Sequence, residues 1–197
     1  MTHKQMEETI LSVVALMMAG LSPNIFPAAQ AGYAKMSTLA THLLIPSIGI
    51  LIAVPVLSFA RGHARLTRRL LAGAGAGALA TIGLEAVRMT SFHLGGMPGD
   101  IPRLMGVLLT DRFMLGPSPL SDTLGWLYHF WNGASFGILF AVLLGRRSMR
   151  WAGVYAQLIG IGFMGFDMPM MPPHGRDRSP GLRPSAGLSH AAMAAGR

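Results

Sequence analysis

Five stretches of the chain hold no Asp, Glu, Lys or Arg: residues 9–34, 36–60, 70–84, 123–145 and 151–166. A helix needs about 20 mainly apolar residues to cross roughly 30 Å of hydrocarbon. Two of the runs clearly reach that length, and the others reach it once a flanking polar residue or an internal proline is admitted. The pattern predicts an all-α, polytopic transmembrane helix bundle of four to six spans. Five is the preferred count, over about residues 10–29, 37–60, 70–89, 123–145 and 151–171. The second span is the sharpest: it is uncharged apart from His42, and Pro46 and Pro55 are tolerated as kinks in a membrane helix. The first is the least regular, interrupted by Pro23, Asn24 and Pro27. It also admits a cleaved secretory signal peptide, with Ala29-Gln30-Ala31 as a small-x-small cleavage site. Glu7 and Glu8 stand where such a peptide carries positive charge, which favours a retained span.

Between the third and fourth spans, Ile101, Leu104, Met105 and Leu108 recur at helical spacing, with Asp100 placed as N-cap and Pro102 in the first turn. A helix over about 101–112 is too short to cross. It reads as an interfacial or re-entrant piece on the extracytoplasmic side. Residues 172–197 abandon the pattern: they are rich in Arg, Pro, Gly, Ser and Ala with no periodic apolar face, and are expected to form a disordered basic tail after a transmembrane domain over 1–171.

Composition supports the membrane reading. Only 12% of residues are charged and 51% are hydrophobic, with mean hydropathy +0.46, whereas a soluble domain carries about 25% charged residues. The net charge of +8 would suggest nucleic acid in a soluble protein, but the Arg residues gather at the ends of apolar runs, the place of topology signals and lipid headgroup contacts. No nucleic-acid partner is expected, and the bilayer is the first partner. Absence of cysteine removes disulfides and thiolate chemistry. Arg-rich loops mark the cytoplasmic side, so 61–69 (Arg61, Arg65, Arg68, Arg69) and 146–150 (Arg146, Arg147, Arg150) are expected inside, in a bacterial inner membrane. Five crossings then leave the Arg-bearing tail outside, against the rule. Either the fifth span does not fully cross, or a reading-frame change near Met171 accounts for both the tail and a missing sixth span.

With that orientation, the polar side chains of the spans collect at one depth. His42, Glu85, Arg88, His129, Asn132 and Asp167 all fall in the extracytoplasmic part of their segments, and His93, Asp100 and Arg103 lie in the connection on that side. Ionisable groups within a membrane segment are costly and point to function. Glu85 and Arg88, three apart, share a helix face and can pair. The six span residues form the candidate ligand-binding cluster. Met164, Met168, Met170 and Met171 beside Asp167 would suit a soft metal, but their spacing names none, and cofactor and metal stay unassigned. Gly73 with Gly77 and Gly133 with Gly137 form small-xxx-small pairs, which allow close helix approach in lipid.

The motifs Asp100-Ile101-Pro102-Arg103-Leu104-Met105-Gly106 and His129-Phe130-Trp131-Asn132-Gly133 resemble those of small polytopic bacterial inner-membrane proteins without an assigned activity. The resemblance covers residues 99–145 and implies only a bacterial inner-membrane setting. The leading functional expectation is binding or transport of a small ligand, ion or lipid-soluble molecule at the polar cluster. The alternative is a non-catalytic assembly subunit that docks on a membrane-protein partner, or on a second copy, through its Gly-rich faces. A third reading, an intramembrane enzyme with Glu85 or His129 as base, needs the two in hydrogen-bonding reach.

Overall fold

The computed structural model describes residues 2–94 and 100–145, together with 154, 155 and 158. The expected fifth span, the tail, Asp167 and the 146–150 loop lie outside these residues, apart from the three isolated positions. Among the described residues the fold is all helical, with no strand. Five helices follow in order: α1 His3–Gln30, α2 Met36–Ala60, α3 Ala64–His93, α4 Ile101–Leu109 and α5 Pro119–Leu143. Three are long and apolar enough to cross a bilayer: α1, α2 and the Ala64–Ser91 part of α3. Helix α5 spans 25 residues, about 37 Å at 1.5 Å per residue. It is not one of the three, because Asp122, Tyr128, His129 and Asn132 load its first half with polar groups.

Helix ends depart from the apolar runs for a simple reason: caps and turns end a helix, not charged residues. α1 begins at a Thr2 capping box rather than at Ile10. α3 takes Arg65, Arg68 and Arg69 into its first turns, so the expected loop shrinks to Arg61–His63. Gly62 makes that turn with φ +76°, a conformation only glycine adopts without strain. α5 starts at Pro119 behind a Ser118 capping box. α1 runs through Pro23 and Pro27 as one helix, as membrane helices do when neighbours satisfy the freed backbone. In α2, residues Ala40–Leu44 widen into a π-turn in which the Ile45 N–H reaches the Ala40 carbonyl. Pro46 follows at once. Its ring would strike the carbonyl four residues back in a regular helix, and the wider turn relieves that.

Packing places α1 against α2 and α5, and α3 against α2 and α5, so the four long helices close a ring with α4 laid on the first half of α5. Two core layers result. Ala15, Ala19, Leu51, Val54, Leu66, Leu70 and Ile138 fill the end near Arg61. Ile25, Phe26, Met36, Ala40, Leu44, Met105 and Tyr128 fill the end under α4. Outward faces stay apolar, with Val56, Phe59, Leu79 and Val87 among the exposed residues. Such a surface would aggregate in water and suits a hydrocarbon surrounding.

Two polar ties fix α1. At one end Arg61 Nη1 donates to Glu7 Oε1 at 3.0 Å, and buried His63 sets Nε2 3.4 Å from Glu7 Oε2. At the middle, Ser22 Oγ donates to Asn132 Oδ1 at 2.6 Å and Tyr128 Oη donates to the Ser22 carbonyl at 2.7 Å. Replacing Ser22 by alanine leaves the Asn132 amide without that donor, and about 1 kcal/mol of stability is expected to go. Thermal unfolding in detergent would read this as a lowered midpoint. A midpoint equal to wild type would remove Asn132 from the stabilising contacts.

Candidate functional site

The site is built where α3 crosses α5. Gly73 and Gly77 on α3 face Gly133 and Gly137 on α5 so closely that a Cβ on Gly77 would run into the Gly133 carbonyl. The two glycine pairs expected from the sequence therefore cover each other inside one chain. A second close approach, Gly106 on α4 against Ser121 and Gly125 on α5, seats the short helix. Two turns beyond Gly77 on α3, and one turn before Gly133 on α5, the same antiparallel seam brings Glu85 and His129 together.

Glu85 and Arg88 form a two-pronged pair on α3: Arg88 Nε donates to Glu85 Oε1 at 2.8 Å and Nη2 to Oε2 at 2.5 Å. Their side chains are 8% and 6% exposed. His129 Nε2 approaches Glu85 Oε1 to 2.7 Å from α5, although the ring nitrogen is not aimed well enough to make a hydrogen bond there. Asp100 closes the group. It caps α4 by accepting from the Arg103 N–H, and the same Oδ1 lies 3.6 Å from Arg88 Nη2. Trp126 and Phe130 stand edge-on to the His129 ring, at centroid distances of 6.2 and 6.5 Å. Next door, Arg103 on α4 holds Asp122 on α5 at 3.1 Å, and that carboxylate raises the guanidinium pKa further above its ordinary value.

Of the six residues expected from the sequence, three meet: Glu85, Arg88 and His129. Asn132 is buried one turn along α5 and is given to Ser22 of α1, because its side of α5 packs on that helix. His42 is exposed on the π-turn of α2, and none of the cluster contacts involves it. Asp167 lies outside the described residues. Asp100, expected as a helix cap in the outer connection but not among the six, joins the cluster. Its depth in the outer connection was the available signal, but nothing in the sequence sets the angle at which α4 returns over α3.

Charge counting shows what the arrangement offers. One guanidinium faces two carboxylates, so the group carries one net negative charge with a neutral imidazole and none with a protonated one. Arg88 Nη1 is buried with no hydrogen-bond acceptor, whereas His129 Nε2 has the Glu85 carboxylate beside it at 2.7 Å. Buried polar atoms are nearly always paired, so Arg88 Nη1 is a donor that still lacks its acceptor. Among the described residues no group of three or more His, Asp or Glu is arranged to hold a metal ion. The chain matches no family model, no curated protein and no solved structure.

Proposed function

We propose that this is an integral protein of a bacterial inner membrane that binds, and passes on, a small molecule bearing an oxygen acceptor at the Glu85–Arg88–His129–Asp100 group. Residues 61–69 face the cytoplasm and α4 lies on the opposite side. Crossings by α5 and by the segment after it bring the span count to five. The observation that carries the reading is convergence. Ionisable side chains from α3, α5 and the cap of α4 meet in one largely buried place, and Arg88 Nη1 is left without an acceptor. A purely structural ion pair has no need of a third and fourth partner from other helices. The unmet Arg88 Nη1 selects an acceptor, a carboxylate, amide or hydroxyl oxygen, with His129 beside it. A protonated His129 would balance an arriving anion.

The assembly-subunit reading relied on the glycine faces as docking surfaces. Those faces are covered by each other, so a partner would have to dock on other faces. The enzyme reading gains from the 2.7 Å approach of His129 to Glu85, which supplies a base without naming a reaction.

A thermal-shift screen in detergent with small carboxylates, amides and alcohols tests the proposal. At least one acceptor class is expected to raise the unfolding midpoint of the wild type and to have no effect on His129→Phe. Stabilisation that survives intact in His129→Phe would move the binding site elsewhere. A screen without a single hit would leave the cluster as an ion-pair clamp.

A further inference from the structure

Helices α4 and α5 are joined by residues 110–118, a connection that displays apolar side chains on its outside. Phe113, Met114 and Leu115 follow one another in the chain and are 66%, 90% and 74% exposed. The backbone holds them out: the Leu115 and Gly116 N–H groups both donate to the Arg112 carbonyl at 2.9 Å, and Gly116 closes the turn at φ +77°. From 113 to 121 the chain holds no charged residue. Single apolar side chains on a surface need no account, but a contiguous group of large ones marks a contact surface.

Depth and continuity say what covers it. Asp111, at the base of the turn, accepts from Ser37 Oγ at 2.8 Å, and Ser37 is the second residue of α2. Helix α2 spans 25 residues, about 37 Å at 1.5 Å per residue, against roughly 30 Å of hydrocarbon. With α2 crossing, its first turn lies where hydrocarbon gives way to headgroups, and the Ser37–Asp111 bond sets the loop at that level. Tyr33, 84% exposed in the connection before α2, stands at the same end, as interfacial tyrosines do. Continuity comes from α5. Leu120, Leu124 and Leu127 are exposed on one face of that helix at helical spacing, so an apolar stripe runs along the outside of α5 from the end at which the turn is attached.

We propose that this turn sets Phe113, Met114 and Leu115 into the lipid surface, at the boundary of headgroups and acyl chains, and anchors the α4–α5 connection there. Apolar groups of interfacial segments enter that boundary to about 5–10 Å. Met114 is three residues beyond Asp111, a reach of about 10 Å at most, so the tip stays within that layer. Lipid is the partner because the base of the turn is tied to the end of a spanning helix and the stripe beside it faces the same surroundings. The inference rests on the membrane part of the proposed function and is independent of ligand binding at Glu85.

The chain has no cysteine, so the single substitutions Phe113→Cys, Met114→Cys and Leu115→Cys each accept one NBD fluorophore. Leu79→Cys, mid-way along α3 and 69% exposed, is the lipid control. His3→Cys, whose side chain is 82% exposed at the start of α1, is the water control. The labelled full chain is reconstituted in phosphatidylcholine nanodiscs, which leave both faces open to iodide. At Met114→Cys the emission is expected to shift to the blue, and iodide quenching to fall several-fold below that at His3→Cys. A phospholipid with its nitroxide at the headgroup end of the acyl chain is expected to quench this label more than one with its nitroxide at the methyl end. The opposite order is expected at Leu79→Cys. Phe113→Cys and Leu115→Cys are expected to follow Met114→Cys and carry the test should that variant fail to fold. Iodide quenching at the turn equal to that at His3→Cys, with Leu79→Cys still in lipid, would overturn the anchor alone. Shielding from both iodide and nitroxide lipid would put a second copy of the chain on the tip and overturn it as well. A Leu79→Cys label open to iodide would overturn the membrane reading and the anchor together.

Discussion

Arg88→Leu is expected to lower the stability of the folded bundle by about 3–5 kcal/mol, the cost of stranding one member of a buried ion pair. The substitution removes both hydrogen bonds to Glu85 and leaves a carboxylate that is 8% exposed. His129 and Asp100 cannot replace them. The imidazole is poorly aimed at the carboxylate, and Asp100 carries the same sign of charge. The paired variant Glu85→Leu with Arg88→Leu is expected to recover most of the loss, because two apolar groups in place of a buried pair are often neutral. Unfolding equilibria in mixed micelles would give the three free energies. Single and double variants of equal cost would show that the side chains matter through their shape and not through their charge. An unchanged Arg88→Leu would mean that water reaches the pair.

Gly77→Leu is expected to cost more than the roughly 1–3 kcal/mol of ordinary overpacking. The first atom added at Gly77 meets the Gly133 carbonyl oxygen, with the Gly133 carbonyl carbon and the Gly137 Cα both at 2.9 Å. All three are backbone atoms of α5, which have no rotamer to move into. The helices must part, and the Glu85–His129 contact, two turns along the same seam, parts with them. Gly75→Leu is the matched control. It has nothing within 4 Å of an added Cβ and faces outward, so its effect is expected to stay within about 0.5 kcal/mol. The same unfolding measurement separates them. If Gly77→Leu folds as well as Gly75→Leu, the close crossing of α3 and α5 does not exist.

Much of the bundle was legible because hydrocarbon imposes a one-dimensional rule. Long uncharged runs must be spans, and α1, α2 and α3 follow from that rule alone. The α4 start was legible through local chemistry, the Asp100 cap and Pro102. Depth was legible too, which is why Glu85, Arg88 and His129 could be grouped. Rotation about each helix axis was not. His42 and Asn132 have the right depth, yet one faces outward on a π-turn and the other faces α1. The azimuth of a helix is set by which small residues let two backbones touch. The sequence showed the glycine pairs but not that they would choose each other. Tyr128, Ser22 and Asn132 form a tie across α1 and α5 that no spacing along the chain announces.

The polar half of α5 also bears on how the protein is made. This helix leaves the ribosome after α1 to α4, and its buried polar side chains have partners on helices already built: Tyr128 and Asn132 on α1, His129 on α3. Released alone into lipid, it would carry those groups uncompensated. With α5 crossing as proposed, membrane entry and folding become one event for it, as it passes from the translocon into a waiting three-helix template. A nascent chain deprived of α1 or α3 would hold it at the exit.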